Sequence, residues 1–142
     1  MRDSNKLTYS DLFMWGFYKD PVYDYDKHQW HIERYNFLKG KSVNQPIGKA
    51  WSRTKYAPRS MRYIISFKFE GKTITIPLAK FIYVYFDPSH VLEANYYTRI
   101  DPEKEDPYLY ENIWIETKEQ VEKHKNKGNQ YFSEKWNILP KN

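Results

Sequence analysis

MRYIISFKFEGKTITIPLAKFIYVYF, residues 61–86, is the stretch that decides the fold. Met61 to Phe69 is rich in β-branched and aromatic residues, Glu70-Gly71 is a two-residue turn signal, and Lys72-Thr73-Ile74-Thr75-Ile76 returns with strict alternation. These features predict an antiparallel hairpin. Pro77 suits the first position of a helix, where its missing N–H would have had no partner anyway. Leu78 to Phe86 then forms an apolar run that Asp87-Pro88 ends. A helix apolar on every side must be buried against the hairpin, because it is far shorter than the roughly 20 apolar residues a bilayer requires.

Upstream, Ser10 before Asp11-Leu12-Phe13-Met14-Trp15 reads as the N-cap of a short amphipathic helix ending at Gly16. Val22 to Phe37, folded about Asp26-Lys27-His28-Gln29, predicts a second hairpin. Lys39 to Ser60 holds Gly40, Pro46, Gly48 and Pro58 and predicts a long basic loop, with room for a helical turn near Ile47 to Ser52. Downstream, Tyr96 to Ile100 predicts a strand, Pro102 and Pro107 a loop, and Ile113 to Ile115 a short strand. Thr117 with Gln120 is a capping-box pattern, so a helix starts there and runs through Val121 and His124 to Gly128. Tyr131, Phe132 and Trp136 suit a tail that docks on the body.

A chain of 142 residues is long enough to bury a core unaided and is expected to be one domain, 1–142. Within it, 1–60 carries the first helix, the N-terminal hairpin and the basic loop, 61–130 the hairpin, buried helix and second strand pair, and 131–142 the tail. Cysteine is absent, which excludes a disulfide framework, a thiolate zinc site and a thiol nucleophile. An aromatic fraction of 19%, led by 14 Tyr, excludes a disordered chain. The polar start Met1-Arg2-Asp3-Ser4-Asn5-Lys6 has no leader-type apolar run, so secretion through a cleaved leader is not expected and a cytoplasmic location, away from membranes, is.

The formal charge of +5 is unevenly distributed. From Lys39 to Lys80 the bases are Lys39, Lys41, Lys49, Arg53, Lys55, Arg59, Arg62, Lys68, Lys72 and Lys80, against Glu70 alone. From Phe81 to Glu116 acids dominate, with only Arg99 and Lys104 against them. Lys49, Arg53, Lys55, Arg59 and Arg62, interleaved with Trp51 and Tyr56, offer phosphate contacts and stacking rings, the pair of features nucleic-acid binders combine. Asp101, Glu103, Glu105, Asp106 and Glu111 lack the order and glycine of a calcium loop, and a solvated charged loop is expected. His28 and His31 on one strand would point to opposite faces, which disfavours a metal pair. No nucleotide-binding glycine loop, nucleophile elbow or zinc spacing is present, so no catalytic residue, metal or cofactor is assigned.

The order basic loop, RYIISFKFEGKTITIPLAKFIYVYF, strand, loop, ENIWIET and a helix ending KHKNKGNQY is similar to HNH endonucleases of phages and mobile elements. The likeness spans residues 61 to 130. It implies a ββα unit in which a histidine at the end of the first strand activates water beside a divalent cation. In this sequence the His-Ile-Asp of that family falls on Arg99-Ile100-Asp101, or its histidine on Ile100; the acid before it falls on Thr98 or Arg99, and the helix ligand on Gln120 or Val121. Asn112 alone matches. The resemblance thus implies an α+β fold of two β-hairpins, a buried helix and a degenerate ββα unit. The expected function is binding of DNA by a phage or mobile-element protein without conventional nuclease activity. The alternative is a phage-encoded interaction module that presents Asp101, Glu103, Glu105, Asp106 and Glu111 as a DNA mimic to a host nuclease or other protein.

Overall fold

The computed structural model describes residues 7–51, 61–89 and 96–124. In chain order they form α1 (Tyr9–Met14), β1 (Val22–Asp24), β2 (Gln29–His31), β3 (Glu33–Asn36), β4 (Lys41–Asn44), β5 (Ile47–Trp51), β6 (Met61–Phe69), β7 (Lys72–Pro77), α2 (Leu78–Phe86), β8 (Tyr96–Arg99), a 3-10 turn (Tyr110–Asn112), β9 (Trp114–Thr117) and α3 (Lys118–His124). The class is mixed α+β. Its sheets are small and antiparallel: β1–β2, β3–β4, β5–β6–β7 and β8–β9. Among the described residues no helix is long and apolar enough to cross a membrane.

The segment from Met61 to Phe86 folds as its sequence predicts. Glu70 and Gly71 both take positive φ, 50° and 78°, the backbone that lets a two-residue turn follow the twist of its strands. Pro77 closes β7 opposite Ile64 and caps α2, whose Leu78, Phe81, Ile82 and Val84 are fully buried. They meet Ile65, Phe67 and Ile76 of the sheet in one core cluster. Leu12, Phe17 and Ile32 join it from the N-terminal side, and Ile100, Tyr108 and Ile113 from the C-terminal side.

Three expectations need correction. α1 is capped by Thr8, not Ser10: the Thr8 hydroxyl accepts from the Asp11 N–H while the Asp11 carboxylate accepts from the Thr8 N–H, and that reciprocal pair outcompetes a lone serine. The N-terminal hairpin is really two. β2 pairs with β1, the strand breaks at Ile32, and β3 then pairs with β4. Residues expected to be a basic loop with a helical turn supply β4 and β5 instead, because Ile47 to Trp51 find partners at Ile65 to Met61 and tertiary pairing overrides Gly48. The rest of that loop, the end of the last helix at Gly128 and the tail with Tyr131, Phe132 and Trp136 lie outside the described residues.

β6 is the longest strand, and it outruns both neighbours. β5 covers Met61 to Ile65, and β7 covers Ile64 to Phe69. Backbone groups of alternate residues face opposite sides, so past Ile65 the carbonyls of Ser66 and Lys68 face an edge that β5 has left. Gln45 Nε2 donates to Ser66 O at 3.0 Å and Arg34 Nη2 to Lys68 O at 3.2 Å. At the opposite end Tyr63 N–H, beyond the last β7 pair, donates to the Tyr108 hydroxyl at 3.2 Å. Three side chains thus finish the ladder. Gly16 lets the β3 backbone come close: its O accepts from Tyr35 N at 2.7 Å, and a Cβ there would lie 2.6 Å from Tyr35 O.

Gln45→Leu conserves volume but strips Ser66 O of its donor, and is expected to lower stability by about 2 kcal/mol. Arg34→Met, which deserts both Trp15 O and Lys68 O, should lower it by about 3 kcal/mol in urea unfolding. Values under about 0.5 kcal/mol for both would show that the edge does not need them.

Candidate nucleic-acid interface

Trp51 pairs with Met61, so the basic segment 52–60 leaves and re-enters the sheet at one end of the β5–β6 ribbon. Of the seven residues singled out there, Lys49, Trp51 and Arg62 stand on the ribbon, while Arg53, Lys55, Tyr56 and Arg59 lie outside the described residues. Lys49 is exposed and sits opposite Tyr63, its ammonium 5.6 Å from the ring centroid, a cation–π distance. Arg62 sits opposite Ala50 and so projects from the other face. It is half-buried: desolvation lowers its pKa, the Arg99 charge pushes the same way, and Tyr108 opposes both. Lys49 is therefore exposed on one face of the ribbon, and Arg62 is partly committed to the body.

The acidic loop is more committed still. Asp101 is buried and its Oδ1 accepts the Glu103 N–H at 3.0 Å. Asp106 Oδ1 accepts from the Tyr23 hydroxyl at 2.6 Å and lies 2.7 Å from His28 Nδ1. Asn112 Nδ2 donates to Asp106 O at 2.8 Å, and Trp30 Nε1 donates to Tyr108 O at 2.8 Å. Glu103, Glu105 and Glu111 remain exposed. The loop is thereby fastened to the β1–β2 hairpin, and two of its five carboxylates are spent inside the fold.

His28 is hydrogen-bonded. It occupies the β1–β2 turn at φ 53°, with Asp106 as its partner 78 residues away. Nothing local in the sequence marks that pair. His28, Glu105 and Asp106 bring ligand-type atoms within 4.8 Å of one another. Since Asp106 Oδ1 already accepts two hydrogen bonds and His28 Nδ1 is one of the donors, the cluster reads as a bridge between segments.

In the strand pair β8–β9, Arg99 Nη1 approaches Glu116 Oε1 to 3.6 Å, and both side chains are largely buried. Burial lowers the Arg99 pKa, and Glu116 counters it. The predicted capping box is formed: Gln120 Oε1 accepts the Thr117 N–H at 2.8 Å, and Thr117 Oγ1 accepts the Gln120 N–H at 3.3 Å. Val121 is buried in the same helix. Gln120 is thus occupied by its own helix terminus and Val121 by packing.

No family model, no curated protein and no solved structure matches this chain. Its function has to be argued from these contacts.

The His28–Asp106 bridge has a defined pH window. Hydrogen bonding to Asp106 raises the His28 pKa above 6.5, so its contribution is complete below 6.5 and disappears as pH rises through the folded value. Hydrogen bonds from Tyr23 and His28 lower the Asp106 pKa below 3.8, so that contribution is complete above 3.8 and disappears as pH falls through the folded value. The bridge is strongest between those limits. An NMR titration should find the His28 pKa moving down toward the ordinary value in Asp106→Asn; an unmoved midpoint would break the assignment.

Proposed function

We propose that the chain is a DNA-binding protein of phage or mobile-element type, on a scaffold similar to HNH nucleases but without their conventional cleavage chemistry. The observation that carries this reading is the Trp51–Met61 pairing, which anchors both ends of the segment holding Arg53, Lys55 and Arg59 at the end of a ribbon already bearing Lys49 and Arg62. An antiparallel ribbon with cations at its end suits the width of a DNA groove and the spacing of phosphates. Tyr56 and Trp51 are the residues proposed to stack on bases.

The order β8, loop, 3-10 turn, β9, α3 agrees with a ββα unit. At the position that the resemblance gives to the water-activating histidine, this chain has Arg99, ion-paired to buried Glu116. A guanidinium with a pKa far above neutrality is no general base, and Glu116 is engaged with it. Asn112, the one matching residue, holds the Asp106 carbonyl. Both observations support binding without cleavage.

With about four phosphate contacts the log–log salt slope should lie near −3.6, a loss of roughly 100-fold in affinity between about 50 and 200 mM salt. Fluorescence anisotropy on a short duplex measures it. Arg53→Glu with Lys55→Glu and Arg59→Glu should abolish binding, while Glu103→Lys with Glu105→Lys and Glu111→Lys should strengthen it. A flat salt response sinks the proposal. Inhibition of a nuclease that the acidic-loop variant loses would replace it with the interaction-module reading. Plasmid nicking in Mg²⁺ or Mn²⁺ that His90→Ala or His124→Ala removes would overturn the absence of cleavage.

A further inference from the structure

Away from the ribbon end lies a cavity of about 790 Å³, within the size range of small-molecule sites. Its walls include Phe37, Val43, Phe67 and Phe69, and Leu38, 98% exposed, stands among its lining residues. Two of the protein's buried polar side chains, Arg34 and Gln45, each 6% exposed, also line it.

Arg34 is the unusual member. Nε donates to Trp15 O at 2.7 Å, Nη2 donates to Lys68 O at 3.2 Å, and Cζ stands 4.5 Å from the Phe67 ring centroid. Those partners orient the guanidinium and none is an anion. Its pKa is lowered by burial alone, with no carboxylate opposing, and Nη1 has no acceptor among the described residues. A buried cation normally has a counter-charge, because its desolvation is not repaid by carbonyl dipoles alone. Here the place for one is a cavity.

We propose that this cavity binds a small organic monoanion, a carboxylate attached to a flat apolar body, with the carboxylate on Arg34 Nη1 and the body against Phe67, Phe69 and Val43. A planar guanidinium matches a carboxylate, and its stacking on Phe67 presents its edge to the ligand. The charge count selects one negative charge. The ionisable lining residues are Arg34, Lys68 and Glu70, which sum to +1, so a dianion would meet Glu70 uncompensated. The apolar lining requires a ligand with a hydrophobic body, which a free inorganic anion lacks.

Calorimetry on the full chain with naphthoate and its neutral isostere naphthamide tests this. Naphthoate should bind at least about ten-fold tighter, the expected value of a charge-assisted hydrogen bond in a partly dry site. It should also shift the Arg34 Nε–H resonance, which naphthamide should leave in place. Val43→Tyr, which fills the cavity from the strand position paired with Arg34, should abolish binding of both probes. Glu70→Gln, which removes the acid lining the cavity, should tighten naphthoate several-fold and leave naphthamide unchanged. Equal affinities for the two probes, an unshifted Arg34 signal, or no saturable binding at millimolar naphthoate would overturn the proposal.

Discussion

The unequal lengths of β6 and its neighbours govern much of this structure. A nine-residue strand beside a five-residue and a six-residue partner leaves partly buried backbone polar groups at both ends without a ladder partner. The solution is side-chain donors and acceptors brought from distant segments. Arg34 and Gln45 approach from the β3–β4 hairpin, and Tyr108 from the acidic loop. Each capping contact also fixes the segment that supplies it. The β3–β4 hairpin and the acidic loop are therefore positioned by what β6 lacks, and the cavity beside Arg34 follows from the same requirement.

The electrostatic pattern has a similar origin. A linear reading of charge sets a basic block before an acidic one, and the fold redistributes both. Asp101 and Asp106 satisfy turn N–H groups and side-chain donors, so the acidic loop presents less negative charge to solvent than its composition implies. Arg62 and Arg99 are drawn inward beside Tyr108 and Glu116, while Arg34 is buried with no acid partner among the described residues. Lys49 stands exposed on the β5–β6 ribbon, and one oriented, desolvated cation, Arg34, lines the cavity.

What the sequence disclosed was local. The Glu70-Gly71 turn, the start of α2 beside Pro77 and the Thr117–Gln120 box each depend on residues within a few positions; the turn and the box formed as read, while Pro77 closes β7 as the N-cap, one residue before the helix, where it was expected inside it. β5 was hidden because Gly48 and the adjoining Pro46 resemble loop residues until the pairing with β6 is known. The Asp106 bridge to Tyr23 and His28 was hidden by chain separation. Arg34 is marked in the sequence by its spacing. Trp30, Ile32 and Arg34 occupy alternate positions, and the first two are plainly core residues, so the third falls on the inward face by the period of an extended chain.

The same constraint bears on the composition, 14 Tyr against 8 Phe. Among the described residues, four sheets of two or three strands have many edges for their size, and a core built only of Phe would leave those edges without partners. Tyr serves both needs at once. Tyr85 packs on Phe81 while its hydroxyl donates to Asp20 at 2.6 Å, and Tyr23 packs on Trp30 while its hydroxyl reaches Asp106. Tyr108 packs on Tyr63 and accepts that residue's own N–H. Burial and these acidic partners raise the pKa of Tyr23 and Tyr85, so both stay protonated donors at physiological pH. A fold of short strands is thus closed by side chains that carry an apolar body and a polar tip, and tyrosine is the residue that supplies both at the least loss of side-chain freedom.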